Sequence, residues 1–139
     1  MKFCFILFSL FLVITPAFSQ QFGGNPPSVK WKQIKTSDAK IVFPEGLDTA
    51  AQRTASIVHY LNKTTSATAG NSHRKITIVL QNQTTASNGY VGLAPWRSEF
   101  YLTPSPDNFS LGSLPWVDNL ALHEYRHVQQ YMNYRKGLS

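Results

Sequence analysis

The sequence predicts an α+β fold: a mixed sheet with an edge strand, closed by an amphipathic helix. Three observations lead there. Residues 75–81 alternate, with Ile76, Ile78 and Leu80 on one face and Thr77, Val79 and Gln81 on the other, the period of a strand. Leu47, Ala51, Ala55, Val58 and Leu61 recur at helical spacing. Near the end, Leu120, Val128 and Tyr131 continue an apolar stripe along a second helical segment. The order of elements is strand, helix, strand, strand, strand, helix, without an internal repeat.

Residues 1–19 read as a secretory signal. Lys2 supplies the positive start, residues 3–14 are apolar except Ser9, and Ala17-Phe18-Ser19 fits the small-x-small rule, placing the cut before Gln20. A retained membrane anchor is the alternative, but the run falls short of the roughly 20 residues that span a bilayer. The expected destination is the periplasm, outer envelope or extracellular space. The one cysteine, Cys4, lies inside this signal. The mature chain therefore offers neither a disulfide framework nor a thiolate metal site, and any metal must be held by His, Glu or Asp. The formal net charge of +6 is scattered rather than gathered in a stripe. It implies solubility and a lean toward anionic envelope surfaces, with no nucleic-acid partner.

Residues 20–37 are expected to be leader and linker, and residues 38–139 the domain. A short strand at 40–43 closes at Pro44-Glu45-Gly46, and Asp48 can cap a helix running to about Asn62. Residues 64–72 are loop, and residues 83–88 are polar and turn-like. Two further strands are predicted at 89–93 and 99–102, linked around Pro95-Trp96, with residues 103–112 as loop. For the last helix, Ser113 is the expected N-cap, with Pro115 and Asp118 in or near the first turn. Arg135 and Lys136 fall in its last turn and Gly137 stops it.

That helix contains His123-Glu124-Tyr125-Arg126-His127, an H-E-x-x-H motif. Residues four apart stand one above the other, so both imidazoles can reach one ion, and neutral imidazole suits Zn2+. Glu124 is turned about 100° from His123. Its carboxylate therefore stands beside the ion, placed to take a proton from a metal-activated water and hand it to a leaving group. His123 and His127 are thus the candidate metal ligands and Glu124 the candidate catalytic base. His59, mid-helix, and His73, in a loop beside Arg74, read as structural or surface histidines.

The stretches Asn88-Gly89-Tyr90-Val91-Gly92, then Ser98-Glu99-Phe100-Tyr101-Leu102, then residues 122–130 are similar to gluzincin-like proteins of the bacterial cell envelope. Some members of that group carry a Tol-type β-propeller further downstream. The resemblance covers most of the mature chain, and the helix motif is its specific part. It implies the N-terminal half of a zincin metallopeptidase domain: a zinc-dependent, exported peptidase acting on peptide or protein substrates. It also implies a third zinc ligand, a glutamate on a following helix beyond residue 139, and hence a fragment inactive by itself. The metzincin variant wants Gly and His where Gln130 and Asn133 stand. A non-catalytic envelope scaffold retaining the fold is the alternative function.

Gly89, Tyr90, Val91 and Gly92 read either as the edge strand that pairs with an extended substrate or as an ordinary strand with glycines at a bulge. Arg126 is either solvent-exposed or paired with a carboxylate behind the helix. Trp116, Tyr131 and Tyr134 are expected to pack in the core or against another domain.

Overall fold

The computed structural model describes residues 24–65, 70, 72–104, 106 and 113–134. The expected signal peptide and the expected helix stop at Gly137 lie outside them. Its architecture is α+β. Among the described residues, five strands form one mixed sheet and two helices pack on one face. The strands are β1 (Trp31–Lys35), β2 (Ala39–Pro44), β3 (Ile76–Gln81), β4 (Gly89–Leu93) and β5 (Trp96–Tyr101). The helices are α1 (Asp48–Thr64) and α2 (Trp116–Asn133). Among the described residues no helix is long and apolar enough to cross a membrane.

The order across the sheet is β1-β2-β3-β5-β4. β3 lies between two parallel partners, β2 and β5, while β1 and β4 are antiparallel edges. The parallel step from β2 to β3 is bridged by α1, as a parallel pair requires a crossover. β4 turns back into β5 at Ala94–Pro95, whose peptide bond is cis.

Alternation dictates which face is buried. Ile41, Phe43, Ile76, Ile78, Leu80 and Phe100 point toward the helices and are buried. They meet Ala51, Ala55, Val58 and Leu61 of α1 and Leu120, Ala121, Tyr125 and Val128 of α2. Each large aliphatic side chain so buried contributes about 1.5–3 kcal/mol.

Several local expectations are corrected. Residues 31–35 fall in the stretch expected to be leader and linker, yet they form β1, paired with β2 from Trp31↔Pro44 to Lys35↔Lys40. Only Ile34 of this strand is partly buried. An edge strand rich in lysine lacks the apolar alternation that marks its neighbours. Neither helix uses a side-chain cap. The N-cap of α2 is Pro115 rather than Ser113, and that of α1 is Leu47, with Asp48 in the first turn. Asp48 instead accepts a hydrogen bond from Lys32 of β1 at 3.2 Å. β5 begins earlier than expected, at Trp96.

The helices are tied to each other at several heights. Arg53 makes a two-pronged bond to the buried Asp118, 2.5 Å at each prong. Gln129 donates to Thr65 Oγ1 at 2.7 Å. Asn133 Oδ1 accepts from the Ser72 amide at 3.0 Å, pinning the loop before β3 to the end of α2. Between them, the fully buried Tyr125 donates its hydroxyl to Asn62 Oδ1 at 2.6 Å. On the same helix as Asn62, His59 Nδ1 meets Asp38 Oδ2 at 2.8 Å. Burial pushes the Asp38 carboxyl up, but its hydrogen bonds, that of His59 first, outweigh this and hold it below the ordinary value.

Burial pushes the Tyr125 hydroxyl up to about 12. A folded-state value above the unfolded one, near 10, means that stability present below that pH is lost as pH climbs toward 12. Tyr90 and Tyr101 are raised too, so Tyr125 accounts for part of the loss. Tyr125→Phe is therefore expected to flatten the decline in urea-unfolding stability across this window. At neutral pH the same variant leaves Asn62 Oδ1 without its donor and costs about 1–3 kcal/mol.

Candidate metal centre

The two motif histidines converge. His123 Nε2 and His127 Nε2 are 3.2 Å apart, with the rings edge-on at an interplanar angle of 81°. Two corners of a zinc tetrahedron with Zn–N bonds of roughly 2.0–2.1 Å lie roughly 3.3–3.4 Å apart. The pair therefore fits two positions of one ion without rotamer change. Two bare imidazole nitrogens at this separation repel. In the absence of a cation one must lend the other a proton, whereas a cation satisfies both lone pairs.

The other nitrogen of His127 is already engaged. Its Nδ1 lies 3.0 Å from Gln130 Oε1, which can only accept. With the ring proton on Nδ1, His127 donates to Gln130 and Nε2 is left as a ligand, the arrangement by which outer partners orient metal-binding histidines. The sequence motif itself assigns Gln130 no role at the metal. Its spacing of three from His127 on a helix is the signal that would have found it. Tyr131 stacks on the far side of the His127 ring, with centroids 6.4 Å apart.

Glu124 points elsewhere than the histidines, in keeping with helical rotation. It is only 5 % exposed and faces β4. A Cβ built on Gly89 would stand 2.8 Å from both Cγ and Oε1 of Glu124, so the strand approaches the carboxylate as bare backbone. Burial raises the Glu124 carboxyl above its ordinary value, opposed by the charges of His123 and His127. A carboxyl so raised beside two imidazoles suits a group that accepts and returns a proton.

β4 is an edge of the sheet among the described residues, so there the ladder side of Gly89, Tyr90, Val91 and Gly92 that does not face β5 has no strand partner. The pairing of β4 with β5 is regular from Gly89↔Phe100 to Leu93↔Trp96, which leaves no bulge at either glycine. Trp116 packs against the core and donates to the Tyr101 carbonyl at 2.9 Å. Tyr131 and Tyr134 are exposed, not core residues, because they fall on the outer side of α2. Arg126, His59 and His73 are exposed. Among the described residues no group of three or more His, Cys, Asp or Glu converges on one point, so the histidine pair has no third protein ligand there.

No family model, no curated protein and no solved structure matches the chain.

The close approach of Gly89 to Glu124 yields a direct test. Gly89→Ala is expected to destabilise the protein by about 1–3 kcal/mol through overpacking. In a Glu124→Ala background, which removes the clashing atoms, most of that penalty should vanish. Urea unfolding of the two single variants and the double variant measures the coupling; additive effects would show that the two residues do not touch.

Proposed function

We propose that this chain carries the active-site helix of an exported, zinc-dependent peptidase. The observation that supports this most directly is the 3.2 Å convergence of His123 Nε2 and His127 Nε2, beside a nearly buried Glu124. His123 and His127 hold the Zn2+, and Gln130 keeps the His127 ring in its ligand tautomer. A zinc ion held there would supply Lewis acidity, lowering the pKa of a water and polarising a carbonyl. Glu124 takes the proton of the attacking water and passes it to the departing amine. The open edge of β4 at Gly89, Tyr90, Val91 and Gly92 receives an extended peptide by backbone pairing. The described residues supply two of the three protein ligands that a catalytic zinc site takes, and the peptidase so assembled is exported and associated with the cell envelope.

The experiment is zinc analysis and casein turnover on the full-length protein. Glu124→Gln is expected to lower turnover by about 10²–10⁴-fold while zinc is retained. His127→Ala is expected to weaken zinc binding by at least about 100-fold, since loss of outer-shell partners alone costs up to that much. Equal turnover in wild type and Glu124→Gln would end the proton-transfer role. A wild type without zinc would end the metal assignment. Bound zinc with no hydrolysis of any peptide would favour the alternative, a non-catalytic envelope module.

A further inference from the structure

The sheet face turned away from the helices carries a built polar site that the motif does not use. Ser98 and Phe100 point toward the helices and are buried, so Arg97, Glu99 and Tyr101 point the other way, joined by Tyr90 across the β4–β5 register. These side chains, with Gln81 and Asn25, line a cavity of about 870 Å³. It adjoins a hollow of about 370 Å³ lined by Val42, Val79 and Trp31, and the two share Asn25, Gln81, Arg97 and Glu99.

The polar groups form one connected set. Arg97 Nη2 lies 2.7 Å from Glu99 Oε1 and donates to the Tyr90 hydroxyl at 3.2 Å. Gln81 Nε2 and the Tyr101 hydroxyl each donate to Glu99 Oε2 at 3.4 Å, and Asn25 Nδ2 donates to Gln81 Oε1 at 2.8 Å. Glu99 is 8 % exposed, a buried carboxylate that depends on these donors.

We propose that this face binds a short, neutral saccharide. The Arg97–Glu99 pair leaves the site without a net charge to attract an ion. What it offers instead are planar amide, guanidinium and carboxylate groups and phenols, each able to donate to or accept from a ligand hydroxyl. Burial raises both phenols above their ordinary values, so they stay protonated. The two 3.4 Å bonds are long, and Gln81 and Tyr101 can exchange them for ligand hydroxyls at little cost. Trp31, 41 % exposed, and the two valines present an apolar surface suited to the C–H face of a sugar ring. Two joined hollows accommodate more than one ring. A peptide fits this face less well, because the backbone groups of β3 and β5 are taken up by their ladders and only side chains are presented. The proposal stands apart from the metal reading and does not depend on it.

The test is a titration of the purified, isotope-labelled protein with maltotriose, cellotriose and tri-N-acetylchitotriose, followed by amide, guanidinium and indole NMR signals. At least one trisaccharide is expected to give saturable shifts at Tyr90, at Arg97 through Tyr101 and at the Trp31 indole. Glu99→Gln is expected to weaken that binding roughly tenfold, the loss of one charge-assisted hydrogen bond. Tyr101→Phe, a milder change, should weaken it in the same direction if the first variant does not fold. Absence of saturable shifts with all three sugars, unchanged affinity in a folded variant, or saturation by trialanine or inorganic phosphate instead would each overturn the proposal.

Discussion

The contact on which the motif's geometry depends is the one between Gly89 and Glu124. A helix laid across a sheet ordinarily keeps a layer of side chains between the two backbones. At position 89 β4 contributes none, and a Cβ there would collide with the glutamate at 2.8 Å. The bare backbone lets Glu124 fill the gap between α2 and β4. Because residues on a helix are fixed in angle to one another, seating Glu124 against β4 also decides where its neighbours face. His123 is turned out toward solvent, while Tyr125 is carried the other way, into the core beneath α1. Two successive residues are thus buried against different partners, and that pair of anchors removes the freedom of α2 to roll about its axis.

Sliding along that axis is opposed by different contacts. Arg53 and Asp118 meet near the start of α2, Gln129 and Thr65 in its second half, and Asn133 and Ser72 at its end. Most are partly exposed and individually modest. Their spacing along the helix matters more than their strength, since a register shift of α2 would break all of them together. The histidine pair inherits this rigidity. Two rings whose Nε2 atoms already stand 3.2 Å apart need little reorganisation to receive an ion.

Much of this was legible in the sequence, for physical reasons that differ from element to element. β3 and α1 announce themselves because their apolar residues follow the strand and helix periods without interruption, and the same residues are the buried core. The convergence of His123 and His127 follows from four-residue spacing on a helix. β1 escaped because an edge strand buries little, and Trp31-Lys32-Gln33-Ile34-Lys35 carries only one inward apolar residue. The caps misled because Ser113 and Asp48 are favourable residues near the right places, whereas the chain entered its helices through Pro115 and Leu47. What no local pattern encodes is which strand Glu124 meets. The glycine at 89 reads as part of a substrate-pairing edge strand or as a bulge until α2 is seen above it.

β4 has a further consequence as a wall shared by two different environments. Strand geometry sends alternate residues to opposite faces. Gly89 and Val91 belong to the side of the helices, while Tyr90 and Gly92 line the polar cavity. The register that places Gly89 beneath Glu124 therefore also brings Tyr90 beside Arg97 and Glu99. It is held by Ser98 Oγ, which donates to the Tyr90 carbonyl at 2.7 Å, and by the Tyr101 amide, which donates to the Asn88 carbonyl at 2.9 Å. A slip by one residue would put a tyrosine where only bare backbone fits and remove its hydroxyl from the polar network on the other side. One strand alignment thus serves both faces, and neither arrangement can be altered through β4 without disturbing the other.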